Sequence, residues 1–129
     1  MILGLRDHGL IHCTDDLLRA ATGFAGGIGR SYQGLCGALS AGVMALGCLY
    51  GRAVFLVETS PCAKRVKRLM ERFNETRRSN ICKDLTAEFG PPDSEAFKSK
   101  ERKTLCADIV RDTGNMVAEV ALWKIPTDK

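Results

Sequence analysis

The 129-residue chain has no C-x-x-C pair and no C-x-x-C-H. These absences exclude a zinc knuckle, a thioredoxin-type site, ordinary ferredoxin spacing and covalent c-type haem. Aromatic residues are only 6% of the chain, too few for a stacking platform on single-stranded nucleic acid, and no nucleic-acid motif is present. No apolar run reaches the roughly 18–20 residues that a membrane crossing needs; the uncharged run Leu35 to Tyr50 is broken by glycines and reads as a buried core helix. Met1 to Leu10 carries Arg6, Asp7 and His8 where a signal peptide would be apolar, so a cytoplasmic location is expected. Neither a Ser-His-Asp set nor a paired-carboxylate constellation can be assigned.

What is present is a composition 45% hydrophobic and 26% charged with a net charge of +4, suited to one globular domain spanning 1–129. Six cysteines in this length fall short of the roughly 8–10% that marks a disulfide scaffold, so reduced thiols are expected. The positive charge gathers at Lys64, Arg65, Lys67 and Arg68, with Arg77, Arg78 and the Lys98 to Lys103 run, but Glu71, Glu75 and Glu101 interrupt it. It reads as a solvated helix face, with neither nucleic acid nor membrane expected as a partner. His8 and His12, near the start of the chain, read as merely exposed.

Along the chain, Thr14 before Asp15, Asp16, Leu17 and Leu18 reads as a capped helix stopping at Gly23. Gly23, Gly26, Gly27 and Gly29 then form a tight turn, since glycine accepts positive φ. This is not a dinucleotide fingerprint: the pattern is wrong and it follows a helix rather than a strand. Leu35, Leu39, Val43, Leu46 and Leu49 have helical spacing over about 34–50, with Gly37, Gly42 and Gly47 implying a close neighbour and Gly51 a left-handed stop. Ala53 to Val57 continues the helix or forms an extended link. Ser60-Pro61 starts a helix with Cys62, Val66, Leu69, Met70 and Phe73 on one face. Ser79 caps a short helix through Cys82 and Leu85, and Gly90-Pro91-Pro92-Asp93 ends it. Thr104 caps a last helix with Cys106, Ile109, Val110, Thr113, Val117, Val120 and Ala121 as its stripe. The expected fold is all-α and compact, about five helices, with the glycine-rich turn before a buried central helix.

Cys36, Cys62, Cys82 and Cys106 each fall within the first turn or so of an expected helix, where free N–H groups and the helix dipole stabilise a thiolate. If several of these helix starts converge, their thiols can hold a metal or iron–sulfur cluster, or exchange a disulfide; the long gaps between them equally suit small buried hydrophobes. Cys48 reads as core. The backbone N–H groups of Gly26, Gly27 and Gly29 with Arg30 either pack helices closely or line the thiol site.

Four segments carry a resemblance: AATGFAGGIGR (20–30), CGALSAGVMALGCLYGR (36–52), RFNETRRSNICKDL (72–85) and CADIVRDTGNMVAEVAL (106–122). Together they resemble the bacterial and archaeal family of redox-active proteins named C_GCAxxG_C_C for its cysteine pattern, over about Asp15 to Leu122. The resemblance implies an all-helical, thiol-based redox protein, and extends to the cysteine-bearing helical part of split-Soret cytochromes, which associate as dimers and are thought to hold an iron–sulfur centre. Carried over by position, Cys36, Cys82 and Cys106 are family cysteines; Cys13, Cys48 and Cys62 have no counterpart. The family's first cysteine lies in a helix well before the glycine-rich segment, and this chain has no matching helix. Three family thiols remain, so Cys13, a non-protein ligand, a partner subunit or upstream sequence would complete the site. Residues 1–13 are expected to be poorly ordered or a remnant of a longer N-terminal region. Ala41-Gly42 stands where the family usually has Gly-Ala.

Three functions follow as expectations. One is electron transfer by an iron–sulfur cluster or other metal on Cys36, Cys82 and Cys106, with a redox partner. Another is a metal-free thiol–disulfide protein using two of these thiols. The third is a non-catalytic helical module that forms a homodimer and has structural cysteines.

Overall fold

A computed structural model describes residues 1–127. Six α-helices carry the fold: α1 (Ile2–Asp7), α2 (Asp15–Ala21), α3 (Gly37–Tyr50), α4 (Ser60–Thr76), α5 (Cys82–Leu85) and α6 (Lys100–Leu122). The described residues contain no strand, only an isolated antiparallel bridge between Leu35 and Ile81. The all-α expectation holds, with one more helix than expected.

α3, α4 and α6 form the central bundle. Arg65, Arg72 and Arg77 along α4 and at its end meet Trp123, Glu119 and Asp112 in turn, so α4 runs antiparallel to α6. Tyr50 at the end of α3 donates to the carbonyl of Ala121 near the end of α6 at 2.5 Å, so α3 and α6 run parallel. Leu39, Leu46, Leu69, Phe73, Val117 and Val120 fill the space between them and are almost wholly buried. The close neighbour implied by the glycines is real at Gly42: a Cβ there would lie 2.9 Å from Leu69 and 3.0 Å from Val117, the point where all three helices converge. Gly47 has open space instead.

Several boundaries differ from the sequence reading, each for a local reason. Residues 1–13, expected to be poorly ordered or a remnant of a longer N-terminal region, contain α1 and a following turn, with Ile2 and Ile11 in the core. Helix α3 starts at Gly37 rather than Gly34, because Cys36 N–H donates to Asn80 and Gly34 accepts from Cys82, which holds 34–36 extended. Gly51 is extended at φ −72°, not left-handed; it is needed because a side chain there would run into the Gly47 carbonyl. Ser60 does not cap α4, since its hydroxyl donates to Glu58. Helix α6 starts at Lys100 with Ser99 as its cap, its hydroxyl accepting from Arg102 N–H at 3.3 Å, a full turn before Thr104. Ala53 to Val57 is neither helix nor strand but an exposed turn.

The glycine-rich turn is more unusual than a tight loop. Gly26, Gly27, Ile28, Gly29 and Arg30 are consecutively left-handed, and Tyr32 follows them, with φ between 56° and 70°. For the non-glycine residues this costs roughly 1–2 kcal/mol each. The conformation persists because it is over-determined. Gly29 N–H donates to Gly23 at 2.7 Å, Tyr32 N–H to Gly26 at 2.9 Å and Gly34 N–H to Gly27 at 3.0 Å. Lys83 N–H reaches the Tyr32 carbonyl at 2.8 Å, and the Tyr32 ring meets Phe97 edge to face at 4.9 Å.

Candidate functional site

The extended segment 34–36 and α5 are stitched together by the Leu35–Ile81 bridge, which brings Cys36 beside Cys82. Cys36 is the N-cap residue of α3 and Cys82 the first residue of α5. Cys106, on α6, completes the group: all three line one cavity of about 350 Å³ between the glycine-rich turn, α3, α5 and α6. Three thiols more than 20 residues apart in sequence thus share one wall because a short bridge and a parallel helix pair place them there.

The remaining lining is largely apolar, including Phe24, Ala41, Met44 and Val110. The cation in this wall is Arg102, one helical turn before Cys106. Its Nη1 lies 3.9 Å from the Cys106 sulfur, its Nε donates to the Phe97 carbonyl at 2.7 Å, and its guanidinium stacks over the Phe97 ring at 4.6 Å. Arg102 was read only as part of a solvated basic run. The available signal was its i, i+4 spacing to Cys106 in a helix that begins earlier than Thr104.

Of the glycine-turn residues, Gly26 lines the cavity, and Gly27 is pressed against Cys82 so closely that a Cβ would come within 2.6 Å of the cysteine Cβ. Gly29 faces open space and Arg30 is exposed, its side chain folded against Gly26 outside the cavity. The turn therefore acts on the site chiefly by close packing on Cys82.

The expected thiolate-stabilising field is outweighed. Burial pushes the Cys36 thiol up, against the N–H groups of Ala38 and Leu39, which favour the thiolate; Cys106 pushes it further up and Arg77 draws it down. Burial likewise raises Cys82, reinforced by Cys36 and Cys106 and opposed by Arg102. Cys106 lies in the second turn of α6, beyond that helix's free N–H groups. The sign of the pH dependence follows: in the metal-free protein the native state keeps protons that the unfolded chain has lost. Stability from Cys36 and Cys82 is full below the ordinary thiol pKa and falls as pH rises through their raised values. The urea midpoint should drop between about pH 8 and pH 10, and a Cys36→Ala/Cys82→Ala double variant should show a visibly smaller drop.

The other cysteines stand apart. Cys13 does not line the cavity; its sulfur donates to the Thr14 carbonyl at 3.4 Å, so it does not fill the fourth position. Cys62, in the first turn of α4, donates to the Leu46 carbonyl at 3.9 Å. Cys48, expected in the core, is exposed, because it lies on the outer face of the last turn of α3. Both histidines are exposed as expected. Among the described residues, no three His, Cys, Asp or Glu side chains close around a position that could hold one metal ion, and no helix is long and apolar enough to cross a membrane.

No curated protein and no solved structure gives a significant match to the chain. The model of the family described as "Putative redox-active protein (C_GCAxxG_C_C)" matches residues 2–120. That span takes in the glycine-rich turn and all three cavity cysteines, and on it the chain belongs to the C_GCAxxG_C_C family of redox-active proteins.

Proposed function

We propose that this chain is an electron-transfer protein in which Cys36, Cys82 and Cys106 are thiolate ligands to an iron–sulfur cluster or comparable thiophilic centre. The observation that carries the reading is the convergence of these three cysteines, from separate elements, on one cavity. The donor set fits: thiolates select soft, sulfur-bridged centres over hard cations. The surroundings fit too, since the Ala38 and Leu39 N–H groups and the Arg102 guanidinium offset negative charge on the sulfurs. The set is one protein ligand short of four, so with Cys13 outside the cavity the remaining position falls to a non-protein ligand, a partner subunit or upstream sequence. Such a centre supplies one-electron chemistry when bound; the chain's own residues hold it, exclude water with the apolar wall and tune its potential through hydrogen bonds to sulfur.

A metal-free reading is favoured by the absence, among the described residues, of any three ligands closed around one ion. In it two of the three thiols join as a disulfide, giving two electrons and two protons to an acceptor. Anaerobic purification followed by a visible spectrum and iron and sulfide analysis separates the two. The first reading expects visible absorbance with bound iron and sulfide, lost in Cys36→Ala and in Cys82→Ala. A colourless, metal-free protein with two thiols that interconvert with a disulfide overturns it in favour of the second.

A further inference from the structure

Helices α3 and α6 both start near the cysteine cavity and end together at Tyr50 and Ala121. With 14 residues in α3, the far end of the bundle lies roughly 20 Å from the Cys36 end of that helix at about 1.5 Å per residue. At that far end the turn between α3 and α4 exposes four consecutive apolar residues: Val54 at 60%, Phe55 at 80%, Leu56 at 90% and Val57 at 52%. Leu122, at the end of α6, is 84% exposed at the same end. A run of bare apolar residues on a protruding turn marks an interaction site. Neither the cavity nor the family cysteines involve it.

Its surroundings identify the partner's chemistry. Arg52 braces the turn from within, its guanidinium over the Phe55 ring at 4.9 Å and bonded to the Phe55 and Val57 carbonyls. Lys64, Lys67 and Arg68 on the first half of α4 line a groove with Trp123 at the end of α6, and Lys124 follows. Against these cations stand Glu58 and Glu71. Lys64, Lys67 and Lys124 form no salt bridge among the described residues. Two copies meeting through this end would set the same cations face to face, which a two-fold contact penalises. An apolar tip flanked by a cationic groove instead matches an anionic lipid surface, where the tip enters the acyl boundary and the cations face the headgroups.

We propose that the α3–α4 turn is a peripheral membrane-docking tip for anionic lipid bilayers, leaving the three cavity cysteines toward the opposite end of the bundle. The expectation from sequence that no membrane partner exists rested on the lack of a spanning segment and on reading the Lys64 to Arg68 cluster as a solvated face; a docking tip needs no spanning segment, and the exposed apolar turn beside that cluster gives its charge a use.

The test uses the full chain with phosphatidylcholine vesicles lacking or containing about 30% phosphatidylserine. Trp123 is the single tryptophan of the chain and reports from beside the tip. Binding to the phosphatidylserine vesicles is expected, with a blue shift of Trp123 emission and weakening as salt is raised. Phe55→Ser/Leu56→Ser should weaken binding by about tenfold or more. Lys64→Glu/Lys67→Glu should abolish the preference for phosphatidylserine. These positions are on the surface, and an unchanged helical circular dichroism spectrum checks that the variants fold. No sedimentation of the wild type with phosphatidylserine vesicles overturns the proposal, as does binding that Phe55→Ser/Leu56→Ser leaves unchanged. Self-association lost in that variant, with no vesicle binding, assigns the tip to a second copy and also overturns it.

Discussion

Replacing Gly27 by alanine is expected to cost about 2–5 kcal/mol of stability, out of the roughly 5–15 kcal/mol typical of a domain, and to open the cysteine site. Two effects add. At φ +66° an L side chain is strained, by roughly 1–2 kcal/mol. The new Cβ would also sit 2.6 Å from the Cys82 Cβ and 3.0 Å from the Tyr32 backbone, an overpacking worth about 1–3 kcal/mol. Neither neighbour can yield easily, because Cys82 N–H is tied to Gly34 and the Tyr32 carbonyl to Lys83 N–H. Gly29→Ala is the matched control: the same left-handed backbone at φ +60°, but nothing within 4 Å, so only the strain of roughly 1–2 kcal/mol is expected. Urea denaturation of the two variants checks the difference. Alkylation of Cys82 should accelerate in Gly27→Ala alone. Equal losses in both variants would show that backbone strain, not contact with Cys82, explains Gly27.

The second large effect is expected at Phe73→Ala, at about 3–5 kcal/mol. Phe73 is the largest fully buried side chain, and lies on α4 in the shared core with α3 and α6. The cavity left behind cannot collapse readily, because the helices are pinned on either side of it. Arg77 pairs with Asp112 at 2.8 Å toward one end, and toward the other Arg65 stacks on Tyr50 at 3.8 Å and donates to the Trp123 carbonyl. Phe73→Leu, which keeps most of the volume, should lose less than about 1.5 kcal/mol. A urea midpoint for Phe73→Ala close to that of Phe73→Leu would mean that the helices do close up, and that these end contacts are weaker than their geometry implies.

Much of this protein was legible locally. Thr14 caps α2 as read, its hydroxyl accepting from Leu17 N–H at 3.3 Å. The spacing of Leu69 and Phe73 identified the buried face of α4, and the glycine cluster announced a turn that ordinary residues resist. Where local signals competed, reading failed. Ser99 and Thr104 are both able to cap, and the choice of Ser99 came with Arg102, which needs a helical backbone to reach Phe97 and Cys106 together. Cys48 shares the apolar composition of α3, but which face of a nearly all-apolar helix is outermost depends on where α4 and α6 sit.

The sequence by itself determined five of the six helices and the glycine-rich turn, because spacing, capping and backbone freedom act over a few residues, while the resemblance to the family singled out Cys36, Cys82 and Cys106. Only the tertiary structure decided that Cys36, Cys82 and Cys106 meet at one cavity, since that depends on the Leu35–Ile81 bridge and on α3 and α6 running parallel. It likewise decided that burial outweighs the helix N-terminus at Cys36, and that Val54 to Val57 is left bare. Desolvation and exposure depend on neighbours distant in sequence, and spacing along the chain carries no record of them.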